Sequence, residues 1–596
     1  MAKFRQDPLI IQGAAVVVPW FVLLVLPFVY FYSEPAAVLT LEIFSAFLAL
    51  LLLSEFRKFP VRLPHYGVGI TVTLTVWLLL LFRSTVESID FSTSWPVLIK
   101  VMALLLLFWI ITRISHASEF SCQLFHAATW AGILHGLIAI QEFIEAPPIP
   151  ATWVDPAMKE LVRTRCAGIF TDPNVFGAFL GALFIIVSAA LLEARSGKDK
   201  ILAASGLLLI GLAELTTLSR SSWITLAISF SGLLFFYFRQ DRKKLKCPLL
   251  YALVAILCIT ALAGPFRHRI FSISRSKDMT IAQRSLINQG IAKNIASLPL
   301  TGTGLHTFNQ VYPRFRLVGG DYPMMAHNEL IQTMIEAGPL AAAMLLMVFL
   351  LIFRQTFNRV NTPVSRAGAL VLLGMFIHNQ GGFSSRILPT AAIIAAAAAM
   401  AIGQENPAAP KLRGILQKVF AAAIACVAFI SIGPGVFSFR INQMIIDAGE
   451  KLKAGNPQEA LKLYSLIESA DPKNAIASAK KADILAASGN LELARASMAR
   501  AISCNPTEAL LWVKMARLSP NETAEEYYGR AIALDPAGEL FRLEFARYLL
   551  KHGKKQQALD QLNAALATSP GFHEVYRHYQ AIEALKAEIS GKPDFR

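Results

Sequence analysis

Charge is what this sequence has least of: 16% of its 596 residues are Asp, Glu, Lys or Arg, against 55% hydrophobic. A water-soluble chain of that length has no use for so much apolar surface, so a wholly soluble protein is excluded. Acid is scarcer than base, 40 residues against 56, which leaves a formal net charge of +16. Cysteine is scarce too. The six (Cys122, Cys166, Cys247, Cys258, Cys426 and Cys504) form no CxxC and no Cys/His cluster, so nothing supports a zinc site, and neither metal nor cofactor is expected. Most lie in or near apolar runs, where Cys behaves as a small buried apolar residue. No A-x-A cleavage site follows the first apolar stretch, which runs past 20 residues. It reads as an uncleaved first span, with a cleaved signal peptide as the alternative.

What the chain does have is long apolar runs. Spans are expected near 10–32, 36–54, 66–82, 97–112, 121–144, 172–192, 201–218, 221–238, 247–264, 328–353, 367–385, 387–403 and 419–439. Each is long enough, or nearly so, to cross a hydrocarbon core of roughly 30 Å. The expected fold is therefore all-α: a polytopic membrane helix bundle of about 12–13 spans over 1–439, then a soluble solenoid over 440–596.

Basic residues orient the bundle. With the N-terminus inside, seven short inner segments hold twenty Lys and Arg, including Arg239, Arg242, Lys243, Lys244 and Lys246 in one of them. Short outer loops are much poorer, which supports N-in and C-out. One outer loop breaks the pattern: residues 265–326 carry eight basic residues against Asp278 and Asp321. A loop that long escapes the rule, so simple tolerance is one reading. Contact with an anion at the outer face is the other.

From about 440 the chain turns polar and repeats itself. Ala460, Ala494, Ala524 and Ala558 hold one phase, and Pro472, Pro506, Pro536 and Pro570 another, both at spacings of 34, 30 and 34. Gly455, Gly489 and Gly553 keep the same register. A 34-residue period of paired helices is the tetratricopeptide signature. The third unit is four residues short and lacks its Gly, so a tightened turn is expected there. Such arrays stack into curved partner-binding surfaces; a passive stalk is the plainer reading.

Unusual residues gather between spans at the expected outer face. In "RTRCAGIFTDPNVFGAFLGA", Asp172 and Pro173 read as N-cap and first helical residue. Arg163 and Arg165 just before read as solvated loop, with interfacial cation duty as the alternative. In "TTLSRSSWITL", Arg220 sits in a turn of almost no length; snorkelling is the bland explanation, an interfacial functional ion the sharp one. Arg284 lies in an amphipathic pattern with Ile287 and Ile291. "PLTGTGLHTF" has two glycines but no complete GxGxxG, so a nucleotide site has weak support. Then "MMAHNELIQTMIEAGPLA" opens a helix with His327 and the N-cap candidate Asn328. Glu336, nine positions on, falls about 180° round and should face another helix or a polar cavity rather than His327.

As a set, "GIFTDPN", "TLSR", the Arg-bearing loop with "PLTGTGLHTF", and "AHNELIQTMIEAGPLA" resemble the O-antigen ligase and O-antigen polymerase family, which includes protein oligosaccharyltransferases. The related core is about 165–400. The resemblance implies a GT-C-type helical membrane fold in a bacterial inner membrane, and an inverting, metal-independent glycan transfer at the periplasmic face. The donor it implies is a polyprenyl-diphosphate-linked glycan, and the acceptor a lipid or glycan hydroxyl. It implies that Arg220 and Arg284 hold the diphosphate, that His327 is the catalytic residue near the acceptor, and that Asn328 and Glu336 support the site. The repeats lie outside the family pattern and point to protein partners or acceptor choice; no nucleic acid is expected. The chemistry suits the residues: fixed guanidiniums stabilise charge developing on a diphosphate leaving group, and a neutral imidazole can take the acceptor proton. A lipid-linked glycan transporter would favour repeated spans and broken mid-membrane helices. A membrane-anchored scaffold would need one crossing. An outer location for the repeats follows from the charge bias: a reporter active only in the periplasm, fused after Phe439, should be active. Activity of a cytoplasmic reporter alone at that point would overturn the topology.

Overall fold

A computed structural model describes residues 9–55, 67–150, 164–240, 279–320, 322–359, 362–402, 415–568 and 577–590. Every regular element among them is helical. The first helix, α1 (Leu9–Tyr32), contains Pro19, which lacks an amide hydrogen, and a π-helical turn at Phe21–Val25 follows. Next come α2 (Glu34–Glu55), α3 (Gly67–Val86), α4 (Phe91–Ile114), α5 (Ser118–Glu145), α6 (Pro173–Glu193), α7 (Gly197–Thr217) and α8 (Arg220–Gln240). Beyond α9 (Met279–Asn294) lie α10 (Glu329–Ala337), α11 (Pro339–Arg359), α12 (Pro363–His378), α13 (Leu388–Ile402) and α14 (Ile415–Lys453). Ten described helices are long and apolar enough to cross a membrane, and α12 and α13 are shorter apolar helices. The expected span at 247–264 lies outside the described residues.

Helix α6 is the hub of the bundle: 94% of its most apolar stretch is buried, against 17% for α14. Asp172 caps it as expected, accepting from the amides of Asn174 and Val175. Helices α12 and α13 approach closely because their facing residues are small. A Cβ on Gly368 would stand 2.6 Å from Met400 Cβ and 2.8 Å from the Ala397 carbonyl oxygen.

Two expected spans need correction. The stretch 328–353 is not one helix. It breaks at Gly338 (φ +89°), ahead of Pro339, and a Cβ on Gly338 would lie 2.1 Å from the Leu300 carbonyl oxygen. Pro disfavours helical backbone in the residue before it, and only Gly takes this φ without strain. The stretch 367–385 is helical only to His378; Asn379 closes α12 and a Gly381–Gly382 turn follows.

Helix α14 is 39 residues long and passes through position 439/440 without a turn. Its polar end packs on α15 (Pro457–Ala470) through Ile441, Ala448, Ala460, Tyr464 and Ile467. The last membrane helix is thus also the first helix of the first repeat. Then follow α16 (Ala475–Ala487), α17 (Leu491–Cys504), α18 (Ala509–Leu518), α19 (Asn521–Leu534), α20 (Glu539–Lys551), α21 (Lys555–Thr568) and α22 (Arg577–Ser590). Gly455, Gly489 and Gly553 all have φ near +75 to +79°, the left-handed cap that turns each pair. The short unit loses its residues from the helix itself: α18 has 10 residues where α16 and α20 have 13, and Ser519–Pro520 makes the turn without Gly.

Close packing at Gly368 gives a paired test. Gly368→Ala should cost about 1–3 kcal/mol by overpacking. Gly449→Ala, on α14 with nothing within 4 Å of the added Cβ, should be neutral or stabilise by about 0.4–1 kcal/mol. Thermal unfolding of both variants in one detergent checks the contrast; equal shifts would contradict it.

Candidate functional site

Helix α10 organises one end of the bundle. Asn328 opens it, its side-chain oxygen accepting from the amides of Leu330 and Ile331 at 3.1 Å. The preceding His327 takes a left-handed backbone (φ +53°), uncommon for a non-glycine residue. At the other end, the loop "PLTGTGLHTF" closes the helix. The amides of Thr303 and Gly304 donate to the carbonyls of Ile335 and Glu336 at 3.0 and 2.9 Å. Gly302 (φ +81°) and Gly304 (φ +111°) allow this approach; a Cβ on Gly304 would lie 1.9 Å from Ser88 Oγ. These glycines cap a helix.

Across α10 lies the turn after α12. The Glu329 amide donates to the Asn379 carbonyl at 2.9 Å, and Asn328 Nδ2 to the Gln380 carbonyl at 3.4 Å. Arg386, at the end of that turn, forks onto Glu329 (Nη2–Oε1 2.7 Å, Nε–Oε2 3.0 Å) and reaches Glu336 through Nη1 at 2.9 Å. Gln332 Nε2 holds the other Glu336 oxygen at 2.6 Å. Lys100 on α4 donates to the Arg386 carbonyl at 3.3 Å. Lys100, His306, Glu329, Glu336 and Arg386 supply the titratable lining of a mostly apolar cavity of about 270 Å³, whose walls include Trp77, Val101, Phe108 and Phe349.

A second group meets on the other side of the 378–386 turn. His378 is buried, with Nε2 3.2 Å from Ser221 Oγ and Nδ1 3.1 Å from Ser384 Oγ. Ser221 follows Arg220, the first residue of α8, so the histidine ties the Arg220 turn to this loop. Gly381 and Gly382 lie between His378 and Arg284. A Cβ on Gly382 would be 3.0 Å from His378 Cε1, and one on Gly381 3.3 Å from Arg284 Nη1. The His327 ring packs edge-on against Phe383, centroids 5.3 Å apart. Burial, and then the charge of Arg284, push His327 down from 6.5 to about 4, so it is neutral at neutral pH.

The structure thus brings Arg284, His327 and, through Ser221, the start of α8 that carries Arg220 to one turn. Asn328 is the hinge beside them, and Glu336 faces away, to Arg386 and the cavity. Arg165 corrects its expected place in solvated loop: it is buried, donating through Nε to the Thr217 carbonyl at 2.9 Å and through Nη2 to Asn174 Oδ1 at 3.0 Å. Arg163 lies outside the described residues. His378, Arg386 and Lys100 were missed by the sequence reading. The visible signal was "HNQGGFSSR", a polar, glycine-bearing run inside what hydropathy took as a span. A larger cavity of about 780 Å³, beside His116, His126 and Arg195, contains none of the expected site residues.

Comparison with known proteins agrees with the motifs. The family model described as O-Antigen ligase matches residues 205–346, which include all five expected site residues and stop short of His378 and Arg386. A tetratricopeptide repeat model matches 451–518. No curated protein sequence matches significantly. Among solved structures, the crystal structure of yeast Tom70 aligns at 13% identity over 83% of this chain and 98% of its own, with a TM-score of 0.24.

The lowered His327 makes stability depend on pH. Its folded value, about 4, lies below the ordinary 6.5. The neutral fold is therefore fully favoured above 6.5 and loses that advantage as pH falls towards about 4. Across this window the thermal midpoint of the wild type should fall further than that of His327→Gln. Parallel curves would contradict the assignment.

Proposed function

We propose that the chain is a membrane glycosyltransferase of the O-antigen ligase type, moving a glycan from a polyprenyl-diphosphate carrier to an acceptor hydroxyl at the periplasmic face. The observation that carries this reading is the convergence of Arg284, His327 and the Arg220 turn on His378 and its loop, beside an apolar cavity with a charged mouth. Two arginines suit a diphosphate, because guanidinium stays ionised and presents paired donors to phosphate oxygens. The apolar cavity suits the carrier's hydrocarbon chain next to that headgroup.

The chemistry proceeds as one displacement. The acceptor oxygen bonds to the anomeric carbon, the bond from that carbon to the diphosphate breaks, and its electron pair leaves with the phosphate oxygen. Arg220 and Arg284 stabilise the growing charge there without reorganising. The acceptor proton goes to His327, and attack opposite the leaving group inverts the anomeric centre. Arg284 has two effects on the histidine. With no donor bound its charge helps keep His327 neutral. A diphosphate seated on it offsets that charge and makes the imidazole a better base when there is a proton to take. Ion pairing at one end of the bundle, as in Arg386 with Glu329 and Glu336, favours this reading over a transporter, where charge should gather near mid-membrane.

Arg220→Ala and Arg284→Ala should weaken donor binding and slow transfer, with Lys rescuing only in part because it lacks the two-pronged contact. His327→Ala should leave donor affinity nearly unchanged and reduce transfer roughly 10²–10⁴-fold. Measuring folded protein, donor binding and transfer for the three positions decides the roles. Near-normal transfer by folded His327→Ala would remove it from the mechanism.

A further inference from the structure

The outer loop is fastened to the repeats by a buried charge cluster. The Arg316 side chain is 0% exposed. It lies 3.5 Å from Asp535 Oδ1 and 3.6 Å from Glu539 Oε2, both in the turn from α19 to α20. Its guanidinium also donates to the Ala537 carbonyl, to the Gly320 carbonyl at 2.9 Å and to Tyr322 Oη at 2.5 Å. It stacks 3.9 Å over the Tyr322 ring, whose hydroxyl donates to Asp535 Oδ2 at 2.6 Å. Two smaller contacts join the repeats to the start of α4: Ser92 Oγ donates to Asp471 Oδ1 at 3.1 Å, and Lys473 sits 4.6 Å over the Phe91 ring.

The segment so fastened continues into the site on two sides. Gln283, next to Arg284, donates through Nε2 to the Gly319 carbonyl at 2.9 Å. One turn below, α9 lies flat on the same loop: a Cβ on Gly290 would meet the Phe315 carbonyl oxygen at 2.3 Å, and Ile287 and Ile291 pack with Phe308 and Tyr312. Five residues after Tyr322 comes His327. The path from repeat to site is therefore a short series of buried, specific contacts: Asp535 and Glu539, then Arg316, then the 312–320 loop, then α9 and Arg284.

We propose that the tetratricopeptide array braces the transfer site through the loop it docks on, and that Arg316, held by Asp535 and Glu539, is a positioning residue that sets α9 and with it Arg284. An Arg buried against two acids loses far more when its partners are removed than a surface pair does, because the charge left behind has no water to turn to. The short α18 bears on this, since it sits in the unit just ahead of the docking turn and helps fix where Asp535 falls. The joint is read from contacts alone; only the consequence for donor binding rests on the function proposed above.

The test is hydrogen exchange on the full chain in lipid nanodiscs, comparing wild type with Asp535→Asn/Glu539→Gln. Exchange in 279–294 should rise about tenfold or more, together with 312–327, while 173–193 and 363–378 keep wild-type protection. Arg316→Lys keeps the charge but loses the fork, and should raise exchange in the same two segments to a smaller extent. It serves as the milder variant if the double substitution does not fold. Wild-type protection of 279–294 in either folded variant overturns the proposal. In parallel, affinity for a glycan-free polyprenyl diphosphate should fall about tenfold in the double variant. If 279–294 loosens and this affinity does not change, the joint stands and the donor role of Arg284 fails.

Discussion

One guanidinium, that of Arg386, keeps the mouth of the bundle in shape. Glu329 and Glu336 are seven residues apart, two turns of helix, so both carboxylates lie on one face of α10. Arg386 spans that face and bonds to both, and α10 thereby lies against the turn after α12. A nine-residue helix is marginal in water by itself, and this pair adds to the caps and packing that hold it. The same contact makes the break at Gly338 meaningful. Separating α10 from α11 frees the first nine residues of a membrane-adjacent helix to carry two acids and a capping Asn without taking them into lipid.

Much of the bundle was legible because lipid imposes simple rules. Backbone polar groups must be satisfied within each crossing, so apolar length predicts helices well. The 34-residue spacing of Ala460 and Ala494 exposed the solenoid for a related reason, since each stacked pair repeats the same small contact. Arg220 and His327 stood out as ionisable residues at expected span ends and Arg284 within the basic loop between them, and in the structure Arg284, His327 and the start of α8 adjoin one loop. His378 and Arg386 were hidden because a hydropathy window averages them with the apolar residues of α12 and α13. Their partners, Ser221 for one and Glu329 for the other, are 157 and 57 residues away, and nothing local announces such pairings. Arg165 was misplaced for the same reason: its acceptors, Thr217 and Asn174, come from two other segments.

The shared helix α14 changes how the two halves relate. A solenoid tethered by a flexible linker would be free to move and would contribute only effective concentration of a partner. Here the last crossing becomes the first repeat helix without a turn, so the array leaves the membrane in a direction fixed by α14. A second attachment, at Arg316, closes a circuit of contacts: α14, the repeats to α20, the loop carrying Arg316, and back to the bundle through α10. The 30-residue unit between two of 34 then has a geometric meaning, because removing residues from α18 alters the path between the two attachments.

That closed arrangement bears on the chemistry through charge as well as position. Arg316 and Arg284 belong to the same basic loop, whose surplus of cations reads as either tolerance or anion binding. The structure divides those cations by their partners. Arg316 is taken up by Asp535 and Glu539, whereas Arg284 lies against the Gly381–Gly382 turn, where its charge acts on His327. Glycine at 381 avoids crowding the guanidinium, since a Cβ there would stand 3.3 Å from Arg284 Nη1. A loop rich in arginine can therefore serve both ends at once, one cation joining the loop to the repeats and another set at the turn after α12.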